Sequence, residues 1–324
     1  MKKIRIGIVG YGNVGRGAEK AVLAAPDMAL RAIFTRRDVQ SIKPADKSVP
    51  VLPIEDAEKM AGEIDCMILC GGSASDLAEQ GPMFAKHFNI VDSYDTHAKI
   101  PGYLASVDKA AVNTTAVISC GWDPGLFSIM RTLFESSLPD GAGYSFWGPG
   151  VSQGHSNAVR GVPGVLNAVQ YSIPIDNAVE AVRNGSRPEL TARQKHLRQC
   201  YVVAEPGADK QAIEQAIKTM PDFFADYDTT VEFISETEFA SNHRAMPHGG
   251  MVLRSGATGE NTQVMEFSLK LESNPEFTAS VMTAYARAAF RLAEEKQFGA
   301  KTVFDVPLTY LSEKSRDDLI KELL

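Results

Sequence analysis

The chain has 324 residues, long enough for two domains with a core each. Apolar residues make up 44% and charged residues 23%, without a low-complexity tract, which excludes a disordered or fibrous chain. A net charge of -7 argues against a non-specific nucleic-acid binder, whose surface would have to attract phosphates, and points to a small-molecule partner.

In chain order, Ile4 to Val9 is a β-branched run that enters Gly10-Tyr11-Gly12-Asn13-Val14-Gly15, after which Ala18, Val22 and Leu23 recur at helical spacing. Leu30 to Phe34 is a second apolar run closing at Thr35, and Cys66 to Cys70 a third closing on Gly71-Gly72-Ser73-Ala74-Ser75. Asn89 to Val91 closes on Asp92-Ser93-Tyr94-Asp95, and Ala116 to Cys120 on Gly121-Trp122-Asp123-Pro124-Gly125. Strands alternating with helical segments predict parallel βαβ units, whose ligands bind beyond the carboxyl ends of the strands. Every one of these motifs falls on that edge.

After Gly125 the texture becomes turn-rich, and Gln199 to Val203 and Thr230 to Ile234 read as strands of a mixed sheet. A long helical pattern from Pro275 to Glu295 then leads back toward the first domain. The fold class expected is α/β, with a Rossmann-type dinucleotide-binding domain over 1–121, completed by about 298–324, and an α+β substrate-binding and dimerisation domain over 122–297. The four cysteines sit mostly inside apolar runs, as reduced core residues do, and no paired CxxC asks for zinc. No stretch approaches the length of a membrane span and no long apolar leader opens the chain, so no membrane partner and a cytoplasmic location are expected.

GxGxxG is a weak pattern alone, but here it follows a strand and opens a helix. Gly10 permits a tight turn, Gly12 lets the main chain approach a pyrophosphate, and Gly15 allows close packing of helix on strand. An NAD-binding fold commonly carries an acid at the end of the second strand to accept from the ribose 2'-hydroxyl. This chain has Thr35-Arg36-Arg37 instead, two planar donor forks suited to a 2'-phosphate, which favours NADP. The neighbouring Asp38 opposes that reading. Gly71 to Ser75 offers donors to ribose or pyrophosphate, or a helix cap. The expected cofactor set is therefore Gly10, Tyr11, Gly12, Asn13, Val14, Gly15, Thr35, Arg36, Arg37, Cys70, Gly71, Gly72, Ser73, Ala74, Ser75, Asp92 and Tyr94. Asp95 and Asp123 end two strands on the same edge, where paired carboxylates would suit a cationic substrate group and the removal of an amine proton; each is equally a turn former.

Several stretches together resemble the meso-diaminopimelate dehydrogenase family, in its order: GYGNVGR from Gly10, FTRR from Phe34, GWDPG from Gly121, FWGPGVSQGHS from Phe146, RQC from Arg198, MPHGG from Met246 and NPEFTA from Asn274. The resemblance runs from the N-terminus to about Phe304. It implies a homodimer that oxidatively deaminates the D-centre of meso-2,6-diaminopimelate with NADP, reversibly giving L-2-amino-6-oxopimelate, ammonia and NADPH, in lysine and cell-wall precursor metabolism. It further implies that Asp95, Asp123 and Trp147 surround the reacting D-centre, with Gln153 and Gly154 on a loop that closes over it, while Ser172, Arg198, His248 and Asn274 hold the distal L-centre. Physically, a double amino acid needs an anion clamp and a cation clamp set apart, and Arg198 is the natural anion clamp. His248 read alone is also compatible with a core or metal histidine, although no second histidine lies at metal spacing, and no metal is expected. His155, His196 and His243 carry no clear signal. Two positions depart from the family: Asn157 stands where Asp is frequent, and Ser172 where Thr is. Two other readings remain at this stage, an NADPH-dependent cyclic-imine reductase of the dihydrodipicolinate reductase type and a non-catalytic NADPH-sensing protein.

Overall fold

Six residues, Ile4–Val9 (β1), form an interior strand because their neighbours cover both faces: five of the six are buried, as a parallel strand between two helix layers requires. The computed structural model describes residues 3–324, except for the side chain of Ala74. Beside β1, Met28–Thr35 (β2) and Val51–Pro53 (β3) extend the sheet one way. Cys66–Leu69 (β4), Asn89–Asp92 (β5) and Thr115–Val117 (β6) extend it the other way. The second half of the chain adds Gly141–Trp147 (β7), Gly150–Val151 (β8), Val165–Pro174 (β9), His196–Ala204 (β10), Asp228–Phe233 (β11), His248–Thr258 (β12) and Asn261–Leu271 (β13). Gly299–Lys301 (β14) returns to the first sheet.

The first sheet has the order β14-β6-β5-β4-β1-β2-β3 and all its pairs are parallel. Its connectivity reverses between β1 and β4, which marks the crevice where such sheets take ligands. One face buries Ile6, Ile8, Ile33 and Ile68 against helix Asn13–Ala24 and the long helix Asn274–Glu294; the other buries Phe34, Met67, Leu69 and Ile90 against helices Ala78–Ala85 and Ile100–Ala110. Each such side chain contributes about 1.5–3 kcal/mol of burial. Arg287 fixes the long helix further, holding Asp27 by two bonds of 2.6 and 2.7 Å.

The expected α/β class with a Rossmann-type sheet is what the chain forms, but the division between its parts is displaced. One unit runs to Ile129 and resumes from Pro275 to Leu324; the other is Met130–Asn274. Residues 122–129 and 275–297, assigned from sequence to the second domain, belong to the first. The reason is the long helix, whose Ala279, Met282, Tyr285, Ala286 and Ala289 are buried in the first unit's core.

The second unit holds two sheets. In the order β11-β10-β9-β8, β10 and β11 run parallel while the other pairs are antiparallel, and Val159, Cys200, Val202, Ile213 and Ile217 form a core beneath helices Gln153–Arg160 and Lys210–Lys218. The order β13-β12-β7 is wholly antiparallel and packs Phe146 and Leu253 on helix Asp176–Arg183.

Candidate functional site

In the first unit the glycine turn is tied to both neighbours: Gly10 N donates to Phe34 O and Cys70 N to Val9 O, each at 2.8 Å. Gly10 has φ +87°, and a Cβ on Gly15 would lie 2.1 Å from Gly10 O, so both positions admit only glycine without a shift of the turn. Gly12 is exposed, and a Cβ there would meet nothing within 4 Å. That open main chain, at the start of helix Asn13–Ala24, is a fitting cradle for a pyrophosphate. Asn13 is exposed and Val14 half-buried beside it. Tyr11 serves differently: its ring is buried and its hydroxyl bonds Glu19, so its carbonyl is what it presents.

Arg37 Nη2 donates to that carbonyl at 2.5 Å, and Arg37 N to Thr35 Oγ1 at 3.0 Å. Arg36 is largely exposed and pairs with Asp76 across the switch point at 2.6 Å. Asp76 in turn accepts from Gly72 N at 2.9 Å. Burial alone would push this carboxyl up, yet the Gly72 bond and Arg36 hold it below the ordinary carboxylate range. The Asp38 side chain accepts from Gln40 N and caps a short helical turn. Ser73 Oγ accepts from Asp95 N at 2.9 Å, and Gly72 holds the helix-cap position. It thereby joins the loops after β4 and β5. Gly71, Gly72 and Ser75 lie partly or fully open along this loop, Cys70 is half-buried, and the side chain of Ala74 falls outside the described residues.

The structure buries the side chains of Asp92 and Tyr94, so any part they take in holding a cofactor falls to their main chain. The Asp92 side chain has no exposure, and Tyr94 is 3% exposed and stacked on Tyr103 at 4.2 Å. Neither ring nor carboxylate can face a cofactor. Asp92 accepts instead from Tyr94 N, Ser119 N and Tyr103 Oη at 2.9, 3.0 and 2.6 Å. Burial raises its pKa against the pull of those three donors, which favour the charged form. Its bonds brace the chain just before Asp95 and just before Asp123. Those two carboxylates sit beyond the ends of adjacent parallel strands, β5 and β6, Asp95 exposed and Asp123 half-buried.

The second unit places its residues by strand alternation. His196, Arg198, Cys200 and Val202 are buried at alternate positions of β10, and Arg198 pairs in register with Ser172 of β9. Arg198 is 8% exposed, donates through Nη1 to Ser172 Oγ, and lies 4.0 Å over the Tyr227 ring. Its Nε has no partner, and no carboxylate pairs with it among the described residues. Burial therefore pulls the guanidinium below its ordinary range. A buried cation held by a hydroxyl and a ring is suited to an anionic partner.

The main chain draws the other expected residues toward Ser172. Gly148 N donates to Gly249 O and Val151 N to Pro247 O, each at 2.8 Å, while Gly150 pairs with Ser172. Asn274 N donates to Met246 O at 2.9 Å, and Gln153 Nε2 to Met246 Sδ at 3.3 Å. His248 Nδ1 lies 2.7 Å from Gly249 N and 2.9 Å from Gly249 O, so its ring is tied to the neighbouring main chain. Gln153 and Gly154 are not on a loop: they form the first turn of helix Gln153–Arg160, and both are exposed. On the same helix Asn157 bonds Arg160. Trp147 is 37% exposed and ends β7. The sequence reading missed Asp76, Tyr227 and His196. None of the three carried a signal in the sequence, because their contacts form only when the strands pack. No group of three or more potential ligands fit to hold a metal occurs among the described residues, and none of their helices is long and apolar enough to cross a membrane.

Residues 121–273 match the family described as Diaminopimelic acid dehydrogenase C-terminal domain. Over 100% of both chains, this protein is 60% identical to the meso-diaminopimelate D-dehydrogenase of Lysinibacillus sphaericus. A solved meso-dapdh mutant with DAP, from Clostridium tetani E88, is 53% identical over 99% of this chain and 100% of that one, with a TM-score of 0.95. An engineered D-amino acid dehydrogenase bound to NADP+ is 44% identical over 100% of both chains, with a TM-score of 0.88. With its parallel dinucleotide sheet and its buried guanidinium, the chain belongs to the meso-diaminopimelate D-dehydrogenase family of oxidoreductases.

Proposed function

We propose that this protein oxidatively deaminates the D-centre of meso-2,6-diaminopimelate, reversibly, with NADP, yielding L-2-amino-6-oxopimelate and ammonia, and that it acts as a homodimer. Arg198 carries the reading: a buried guanidinium with an open Nε and no carboxylate partner is suited to a substrate that brings a second carboxylate far from the reacting carbon. Ser172, His248 and Asn274 supply the remaining polar contacts to that distal amino acid head. The open glycine turn and the arginines after β2 fit a dinucleotide with a 2'-phosphate, and the engineered relative is named as bound to NADP+.

NADP, when bound, accepts the hydride that leaves the D-centre carbon. The chain's own part is orientation and proton removal. Asp95 and Asp123 face the ammonium, which must lose a proton before the nitrogen lone pair can assist hydride departure. Trp147 packs on the carbon skeleton at that centre, with Gln153 and Gly154 beside it. Water then hydrolyses the substrate imine to ketone and ammonia. The oxidative rate at saturating substrate should rise from neutral to alkaline pH, and a flat profile of the hydride step would contradict the proton-removal role.

The direct test follows NADPH formation with meso-, LL- and DD-diaminopimelate and an uncharged D-amino acid. The meso isomer is expected to react fastest and the LL isomer not at all. Equal rates for LL and meso would overturn the D-centre assignment. A reductive reaction independent of ammonia would instead favour a cyclic-imine reductase. Sedimentation should give a mass twice that of the chain.

A further inference from the structure

His196 has no role in the chemistry above, yet it is built into the second unit more tightly than several residues that do. It is 2% exposed at the start of β10. Its Nε2 accepts the main-chain N–H of Trp147 at 2.8 Å. Its ring lies 5.5 Å from the indole at an interplanar angle of 26°, and 6.0 Å from the Phe146 ring. The contact joins β7 of one sheet to β10 of the other, across 49 residues of chain. Two positions further along the same face of β10 stands Arg198, with Ser172 opposite. One strand therefore carries both the support of Trp147 and the guanidinium.

An acceptor at Nε2 requires a neutral ring with its proton on Nδ1. Burial first, then the neighbouring Arg198, lowers the His196 pKa to about 3, so the acceptor persists throughout the range in which an enzyme works. The imidazole supplies a flat face and an acceptor together, whereas phenylalanine supplies only the face and glutamine only the acceptor. Trp147 is partly open to solvent, and the His196 ring stacks against its buried side.

We propose that His196 is a positioning residue that fixes the Trp147 indole and sets its spacing from Arg198, so that a substrate anchored at Arg198 meets Trp147 with its reacting carbon in place. The proposal rests on the assignment of Trp147 to the D-centre and of Arg198 to the distal carboxylate.

The experiment compares the full-length NADP-loaded enzyme with His196→Phe, His196→Gln, Trp147→Phe and the double variant His196→Phe/Trp147→Phe. It measures kcat and KM for meso-diaminopimelate and for an uncharged D-amino acid, alongside each Tm. His196→Phe is expected to lower kcat about tenfold or more for both substrates, since a displacement of order 1 Å can cost about a hundredfold. KM for meso-diaminopimelate should stay near its wild-type value, and the double variant should be no slower than Trp147→Phe alone. His196→Gln, which keeps an acceptor, should recover part of the loss, a rescue that fold stability alone would not produce. A wild-type kcat in folded His196→Phe, or losses that multiply in the double variant, would overturn the proposal. If His196→Phe does not fold, His196→Gln decides, and a wild-type kcat there would equally overturn it. Wild-type rates in Trp147→Phe would overturn the placement of Trp147 first, and the role of His196 with it.

Discussion

The two units prepare for ligands by opposite means. The first offers main chain: an open Gly12, a turn that tolerates only glycine at positions 10 and 15, and loops tied by Ser73 and Asp92 to one another and to the sheet. The second offers side chains from separate strands, Ser172 and Arg198 on paired strands and His248 at the head of a third, with His196 supporting Trp147. A diphosphate needs many equivalent donors along an extended backbone, whereas a double amino acid needs a few charges at fixed separation. Substitutions should therefore act differently in the two units, through the backbone in the first and through substrate choice in the second.

The largest effect is expected where a buried group braces the main chain. Asp92→Ala strips partners from Ser119 N, Tyr94 N and Tyr103 Oη, at about 1–3 kcal/mol for each group left buried and unsatisfied. Ser119 is also in the left-handed region, at φ 55°, and would lose the bond that holds it there. The melting temperature and kcat should fall together, while Asp92→Asn, which keeps an oxygen for the two amides, should lose far less. Equal losses in the two variants would mean that the charge matters and the bracing does not.

Gly15→Ala comes next. Its methyl would meet Gly10 O at 2.1 Å, and displacing the turn should cost about 3 kcal/mol, close to a hundredfold in cofactor affinity by titration. Unchanged affinity in a folded variant would show that the turn does not hold the dinucleotide.

Arg36→Ala sharpens the same half. It removes charge-assisted bonds worth about 1.5–3 kcal/mol each from a 2'-phosphate, and because the side chain is largely exposed the lower end is expected. NADP binding should weaken while NAD binding holds. Arg37→Ala also releases Tyr11 O, so it should weaken both cofactors. Equal losses of both from Arg36→Ala would contradict the phosphate role.

A separate effect is expected of pH on the second unit. Burial lowers His155 to about 4 and His196 to about 3, against an ordinary value near 6.5. Below about pH 6.5 the unfolded chain binds protons that these folded histidines refuse, so their contribution, complete above 6.5, is lost as pH falls toward 4 and then 3. Denaturant unfolding followed from pH 7 to 4 should show this loss, and His196→Phe should flatten part of it. An identical slope in the variant would remove His196 from the linkage.

The uneven legibility of the sequence has the same physical origin as the contrast between the units. Gly10, Gly12, Gly15, Arg36 and Arg37 are local, within one βαβ unit, so spacing alone exposes them. β3 and β14 have three residues each, too few to show a period, and the hairpin of β12 and β13 was not recognised. The long helix was assigned to the wrong unit because an apolar face does not say which sheet it covers. Arg198 was found through the family's stretches, whereas Tyr227 and His196 depend on contacts made only after β9, β10 and β7 have packed. The bracing by the Asp92 side chain was not legible, because a polar residue at a strand end looks the same in sequence whether its side chain faces a ligand or holds the chain beneath one.

The division of labour is tested most directly by Arg198→Met, which keeps a long apolar stem and removes the charged fork. The measurement is the ratio of kcat/KM for meso-diaminopimelate to that for an uncharged D-amino acid, before and after the change. The distal carboxylate of diaminopimelate would enter the site unpaired, at a cost of about 2–5 kcal/mol, while the uncharged substrate has no such group to lose. The account predicts that the ratio collapses and that the uncharged substrate changes far less. A fall by the same factor for both would contradict it, because Arg198 would then be acting on the reacting centre or on the fold.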